Sequence, residues 1–262
     1  MKSPAAKGGP LVAYVLHHYD WSETSLIIDL FTRERGRLAV AAKGAKRPYS
    51  QFRGVLLPFQ RLLVQLGRAP KDEAAEVHQL RSAEWAGGVP MAGGATLFAG
   101  FYLNELLLKL LARQDAHPGL FDAYADTLGA LSATDEAATQ VALRAFELTL
   151  LRGLGVLPEL AVVTQTVQAV QASAGYVLNA EAGVVPAPVG EAGVPGRSLV
   201  ALEAALEHGS GAALRQATAP VLAALRGPLR QMLHYHLGSP QLRTRQVMLD
   251  VQKLLEPEAH PR

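Results

Sequence analysis

The hydrophobic period of this chain changes once along its length, and that change constrains the fold more than any other feature. Before the breaker sequence Gly-Gly-Val-Pro at 87–90, the apolar residues come in short, partly β-branched runs. After it, they recur every three or four positions, as on the buried face of a helix. The 262 residues are enough for one large or two modest domains with cores of their own. We therefore predict an α+β chain.

The first half predicts five short strands. They lie at 11–16, 25–32, 38–42, 55–66 and 76–83, with a turn at 34–37 between the second and third. Five short strands in so few residues suit a small β-barrel, and the OB-fold is the leading candidate. We predict a flexible N-terminal tail over 1–10 and an OB-fold nucleic-acid-binding domain over 11–86.

The second half predicts an all-α helical domain over 91–262. Helical periodicity covers the ranges 97–111, 121–131, 137–154, 198–207, 211–224, 228–237 and 241–255. The stretch from about 158 to 195 is instead rich in Val, Gly and Pro. We predict that it forms an irregular insert of short strands or loop.

Composition and missing motifs exclude several classes of function. The chain has no cysteine, which excludes disulfides, a cysteine nucleophile and cysteine-ligated metal centres. No glycine-rich phosphate-binding motif is present, which argues against ATP hydrolysis and dinucleotide chemistry. No apolar run approaches the roughly 18 residues that a membrane span needs. We expect a cytoplasmic binding protein without a cofactor or a catalytic residue.

The charge is strongly uneven, although the formal net charge is only +2. Between residues 33 and 68, one acid, Glu34, accompanies nine basic residues. These are Arg33, Arg35, Arg37, Lys43, Lys46, Arg47, Arg53, Arg61 and Arg68. Because ordinary surfaces mix the two signs, this run favours a polyanion-facing surface over a merely solvated face.

The basic loop at 43–50 is the best candidate site. Glycine and proline let such a loop project between strands, where its cations can reach a phosphate backbone. Tyr49, beside Pro48, is the better candidate for stacking on bases, whereas Phe52 is favoured as a core side chain. The predicted nucleic-acid-binding residues are Arg35, Arg37, Lys43, Lys46, Arg47, Tyr49 and Arg53.

Two cations in the helical half allow two interpretations. Arg144 lies within an apolar helical stripe, and Lys109 lies on the preceding leucine-rich helix. Such cations can capture the carboxylates of an acidic, hydrophobic peptide. The alternative, which the residues alone favour, is an internal ion pair with Glu147 or Glu105.

Two rival functions remain. A generic OB-fold RNA-binding or ribosome-associated protein would carry the same basic loop as a DNA-binding protein. Competition between matched RNA and DNA oligomers distinguishes RNA binding from DNA binding. A metal-dependent hydrolase would use His17, His18, His234 and His236. Neither histidine pair converges on one ion by its spacing, so surface or packing histidines are favoured.

The chain resembles the RecO family of bacterial recombination mediators over nearly its whole length. The segments that carry the resemblance are 21–25, 29–32, 36–38, 42–46, 57–59, 80–84, 102–106, 143–147 and the basic 242–245. Within 158–190, where many family members carry four zinc-binding cysteines, this chain has none. Zinc is therefore not carried over.

The resemblance implies an OB domain followed by a helical domain, and a mediator that hydrolyses no nucleotide. RecO-like proteins bind single- and double-stranded DNA, anneal complementary strands and, with RecR, help RecA to replace the single-strand-binding protein SSB. The helical domain of the family docks the acidic, Phe-ending tail of SSB. The resemblance therefore makes Arg144, with Lys109, the candidate tail-binding site, and it places the protein at the nucleoid.

Overall fold

The computed structural model describes residues 9–67, 76–88, 93–132, 135–191, 193–238, 242–244 and 246–247. It forms two compact units, one from the described residues within 1–92 and 111–133, the other from those within 93–110 and 134–262. Residues 111–133 therefore group with the strands, although the sequence assigns them to the helical domain. Most of the predicted tail and of the predicted helix at 241–255 lies outside the described residues.

The first unit is built on a closed five-stranded barrel. Its strands are β1 (Leu11–Asp20), β2 (Leu26–Thr32), β3 (Gly36–Ala42), β4 (Gln60–Leu66) and β5 (Val77–Gly88), in the order β1-β2-β3-β5-β4. The pairing of β3 with β5 is parallel, and the other pairings are antiparallel. Alternate residues fill the interior, among them Val15, Ile28, Val40 and Leu62. The predicted OB-like barrel is confirmed.

One strand is shorter than its apolar run predicts. Residues 55–59 are not part of β4, which begins only at Gln60. Pro58 has no N–H group for a ladder hydrogen bond, and Phe59 adopts a positive φ of 67°. Because a strand needs both extended backbone and donors, the run at 55–66 is broken before Gln60.

The helices are α1 (Ala95–Leu110), α2 (Pro118–Leu131), α3 (Glu136–Gly153), α4 (Gly196–Glu207), α5 (Gly211–Thr218) and α6 (Leu222–Leu237). A 3₁₀ turn at Ala219–Val221 joins α5 to α6. The predicted break between 224 and 228 is therefore wrong, since Pro228 lies inside α6. The buried side chains of Leu225, Leu229, Met232 and Leu233 hold one face of α6 through the proline.

Helix α2 packs on the outside of the barrel within the first unit. The rings of Tyr14 and Phe31 each lie with their centroids 5.3 Å from that of Phe121. Arg33 adds a two-pronged ion pair, with both of its hydrogen bonds to the Asp122 carboxylate 2.9 Å long. Burial of these aromatic rings is the main reason that α2 belongs to the barrel unit.

The insert of the second unit consists of short strands, as predicted. They are β6 (Val162–Val163), β7 (Gln168–Ala169), β8 (Gly175–Asn179), β9 (Gly183–Pro186) and β10 (Val194–Pro195), with β8 between β10 and β9. The Val184 amide donates to the Thr164 hydroxyl at 2.8 Å, and the Gln171 amide to the Tyr176 hydroxyl at 2.8 Å. Side-chain hydrogen bonds thus stabilise these turns. The groups that make them are hydroxyls, which are not the ligands that a zinc ion prefers.

Candidate nucleic-acid interface

The basic loop at 43–50 begins the connection between β3 and β4, which covers residues 43–59. This connection is a series of successive turns. The Arg47 amide donates to the Gly44 carbonyl at 3.1 Å, and the Ser50 amide to the Arg47 carbonyl at 3.0 Å. Gly44 has a φ of 73°, a left-handed conformation that glycine adopts without strain. The hydrogen bonds give this basic loop a defined path, so its cations project from an ordered backbone.

Apolar side chains anchor the same loop to the barrel. Ala45 and Leu56 are buried in the barrel core, and Phe52 and Val55 pack against it half-buried. The favoured interpretation of Phe52 as a core side chain agrees with this position. Since the anchors alternate with the exposed cations, the loop presents charge on one side and buries its other side.

A groove of about 570 Å³ separates the basic loop from β5. Lys43, Arg47 and Tyr49 line it from the loop, and Arg81 and Glu84 line it from β5. Arg81 occupies a β-bulge: Ser82 pairs with Gln65 and Leu80 with Leu66, which leaves Arg81 without a partner on β4. Bulges re-aim side chains, and this one places a further cation at the groove.

Four cations near the groove are exposed and make no ion pair with any side chain of the described ranges. They are Lys43, Arg47, Arg53 and Arg81. Tyr49, in their midst, is 100% exposed. Unpaired cations around an exposed ring suit a polyanion that also carries flat bases, which is the chemistry of single-stranded nucleic acid.

Lys46 differs from its neighbours because it is already engaged. Its ammonium lies 2.6 Å from the Asp20 carboxylate and donates to the Ser22 carbonyl at 3.0 Å. The hydrogen bond from Lys46, together with its charge, lowers the pKa of Asp20 below its usual value. Lys46 therefore ties the basic loop to the β1–β2 connection, and a phosphate must compete with Asp20 to reach it.

Arg35 and Arg37 lie at the β2–β3 turn, at the opposite end of β3 from the basic loop. The seven residues of β3 put about 20 Å between its two ends, and neither arginine lines the groove. Arg35 Nη2 lies 3.5 Å from His78 Nε2. Burial, and next the Arg35 charge, lowers the pKa of His78. Of the predicted set, Lys43, Arg47 and Tyr49 line the groove, and Lys46 is ion-paired with Asp20. Arg35, Arg37 and Arg53 do not line it.

One groove cation, Arg81, and one exposed aromatic ring beside the groove in sequence, Trp85, were missed from the sequence. Arg81 lies in a predicted strand, where simple alternation gives no sign of the bulge. Trp85, next to the groove residue Glu84, is 66% exposed, although large aromatic residues in strands are usually half-buried. The clustering of Arg81, Glu84 and Trp85 within five residues was the only available signal.

In the second unit, Arg144 is held by a buried carboxylate. Arg144 Nη1 lies 2.8 Å from Glu147 Oε2, with side-chain exposures of 12% and 0%. The Tyr102 hydroxyl donates to the same carboxylate at 2.7 Å. Burial raises the pKa of Glu147, and the Arg144 charge opposes that rise. The internal ion pair that the sequence offered as the alternative is therefore present.

Lys109 is paired in a similar way. Its ammonium lies 3.1 Å from Glu105, which also accepts hydrogen bonds from the Arg243 and Thr244 amides at 2.8 and 2.9 Å. Burial alone raises the pKa of Glu105, but the hydrogen bonds from Thr244, Arg243 and Lys109 lower it overall. Both predicted tail-binding cations are thus partners of acidic side chains within their own unit.

The four histidines of the rival metal site all lie within the described ranges. No three His, Cys, Asp or Glu side chains come together there as metal ligands do. The rings of His17 and His18 are stacked at 6.0 Å, and that of His17 lies edge-on to Tyr19 at 4.5 Å. No helix in the same ranges is both long and apolar enough to cross a membrane.

Two family models together match most of this chain. Residues 11–87 match the family model described as Recombination protein O N terminal, and residues 92–246 match Recombination protein O C terminal. The DNA repair protein RecO of Variovorax paradoxus is 50% identical over 251 residues, and that of Verminephrobacter eiseniae is 49% identical over 247. Each alignment covers 92% of this chain and 96% of the relative. The chain therefore belongs to the RecO family of DNA repair and recombination proteins.

Proposed function

We propose that this protein binds single- and double-stranded DNA through the barrel unit, anneals complementary strands and, with RecR, helps RecA to replace SSB. Membership of the RecO family supplies the role in repair. The observation that carries the proposal is the group of four exposed cations at the β3–β4 loop and the β5 bulge, which form no ion pair with the part of the chain that the structure describes. We propose further that the protein acts as a mediator and not as an enzyme.

Annealing follows from the way in which these cations hold a strand. Lysine and arginine bind phosphate oxygens, so the faces of most bases stay free to pair. Two strands held near one positive surface repel each other less than they do in solution. The barrel unit therefore lowers the barrier to pairing without a chemical step.

The salt dependence of DNA binding tests this proposal. A double variant, Lys43→Ala with Arg47→Ala, removes two groove cations, whereas Arg197→Ala with Arg226→Ala removes two exposed cations from the helical unit. Fluorescence anisotropy with labelled single-stranded DNA should show a salt slope reduced by about 1.4 for the first pair only, since each phosphate contact contributes about 0.7. Equal slopes for both pairs would reject the basic loop as the site.

We also propose that the helical unit docks the acidic tail of SSB through Arg144 and Lys109. Because both cations already have acidic partners, the tail carboxylates must share them with Glu147 and Glu105. The test variant Arg144→Met with Glu147→Gln removes both charges and keeps an acceptor for Tyr102. It should bind an SSB-tail peptide more weakly, with DNA binding unchanged, while Arg226→Ala binds both normally. Unaltered peptide binding would remove Arg144 from the site.

A further inference from the structure

The groove beside β5 is not lined as a simple phosphate track. It is lined by the exposed cations Lys43, Arg47 and Arg81, but also by the exposed carboxylate of Glu84. A carboxylate repels a phosphate, whereas it accepts hydrogen bonds from the amino and imino groups of bases. The mixture of signs therefore suits a nucleotide with its phosphates at the rim and its base inside.

The other lining groups fit a base better than they fit a backbone. The half-buried ring of Phe52 contributes an apolar surface, and the fully exposed ring of Tyr49 lies at the edge. The Ser50 and Ser82 hydroxyls and the Gln51 amide both donate and accept hydrogen bonds. Aromatic rings beside adaptable polar groups are typical of sites that bind bases without strict sequence selection.

The size of the groove limits what can enter. A volume of about 570 Å³ lies in the range of small-molecule sites, where a single nucleotide fits. In a duplex the bases are stacked and paired inside the helix, so only their edges reach a protein surface. A single strand turns a base outward at a small unstacking cost.

We propose that the groove holds one unstacked base of a single strand, with Arg47 and Arg81 on the flanking phosphates. This inference rests on the proposed DNA-binding function and adds to it a contact that only unpaired DNA can make. The barrel unit then prefers single strands to duplexes of equal charge. It also fixes a strand at one nucleotide while the neighbouring bases remain free to pair.

Abasic DNA separates a base contact from a phosphate contact. The full-length protein is titrated with a labelled oligo-dT and with an oligomer of the same length and charge whose central nucleotides lack bases. We expect the abasic oligomer to bind about tenfold more weakly or worse, as stacking of one or two bases predicts. The two salt slopes should be equal, because the phosphates are unchanged.

Two variants assign the base contact to the groove. Tyr49→Ala removes a fully exposed ring with little risk to folding. It should reduce the gap in affinity between oligo-dT and the abasic oligomer. Ser82→Leu fills part of the groove without adding an aromatic ring, and it should reduce oligo-dT binding toward the abasic level. Tyr235→Ala removes an exposed ring from the helical unit and should leave the gap intact.

Each contrary result has a distinct meaning. Equal binding of both oligomers by the wild-type protein would overturn the base site, and the proposed DNA binding would stand. A gap that survives both groove variants would place the base contact elsewhere and overturn the assignment to this groove. Absence of binding to either oligomer would overturn the proposed function together with the inference.

Discussion

The two units of this protein use their cations in different ways. In the barrel unit, Lys43, Arg47, Arg53 and Arg81 are exposed and form no ion pair within the described ranges. In the helical unit, Arg144 is paired with Glu147 at 2.8 Å, and Arg152 with Glu203 at 2.7 Å. Both of these acids are buried. The barrel unit also has ion-paired cations, Arg33 and Lys46, so the contrast is between the unpaired cluster at the groove and the buried pairs of the helical unit.

What differs is whether a cation is already paired, and not how many cations a unit contains. A buried carboxylate needs a cation beside it, because an isolated charge in the interior is costly. Once paired, that cation contributes little to the field outside the protein. An unpaired surface cation keeps its full charge for a ligand and costs little to maintain in water. The unpaired set therefore identifies the nucleic-acid surface better than the number of basic residues does.

The largest effect should come from breaking the buried pair. Arg144→Ala removes the ion-pair partner of the buried Glu147 carboxylate, which keeps its hydrogen bond from Tyr102 and, more weakly, the charge of Arg230. We expect a loss of about 3–5 kcal/mol in the free energy of unfolding, measured by urea denaturation at neutral pH. The neutral variant Arg144→Met with Glu147→Gln should lose much less.

The pH dependence gives that prediction a second readout. The pKa of Glu147 is raised above 4.5 by burial, so the folded state favours its protonated form and loses that stability as pH rises through the folded-state pKa. Removing Arg144 raises this pKa further, so the cost of Arg144→Ala should shrink toward acidic pH. A cost that is small at every pH would mean that the pair is unimportant.

The backbone of the basic loop should be the next most sensitive feature. Gly44→Ala forces a Cβ onto a residue with a φ of 73°, which costs about 1–2 kcal/mol or shifts the loop. The new Cβ would lie 3.5 Å from Arg47 Cδ, an ordinary contact, so the strain comes from the backbone. We expect weaker DNA binding by anisotropy. In the same loop, Gly54→Ala has open space and no positive φ, and it should have almost no effect.

A smaller, pH-dependent effect is expected at Glu105. Hydrogen bonds lower its pKa below the usual 4.5, so its contribution to stability is present above that value and is lost as pH falls through the folded-state pKa. Glu105→Gln should cost about 1 kcal/mol at neutral pH and progressively less in acid. Urea denaturation across pH checks this, and parallel curves for the variant and wild type would contradict it.

The sequence predicts features that depend on near neighbours better than those that depend on distant ones. Short, partly β-branched apolar runs predict the barrel strands, and Glu147, three positions from Arg144, was available as an alternative partner. The tie between Lys46 and Asp20 spans 26 positions and forms only when the β3–β4 loop meets the β1–β2 connection. The bulge at Arg81 likewise depends on its partner strand β4. Such partners are set by tertiary packing, which no local pattern contains.

The smallest and sharpest test compares two lysines of one loop. Lys43 and Lys46 lie three residues apart, but among the described residues only Lys46 has an acidic partner, Asp20. Lys43→Ala should reduce the salt slope for single-stranded DNA by about 0.7, whereas Lys46→Ala should reduce it less, because Asp20 already occupies that ammonium. Asp20→Asn frees Lys46 and should make the slope steeper. If Lys46→Ala and Lys43→Ala reduced the salt slope equally, an existing ion pair would not decide whether a cation can bind DNA. The contrast between the groove cations and the paired cations would then lose its physical basis.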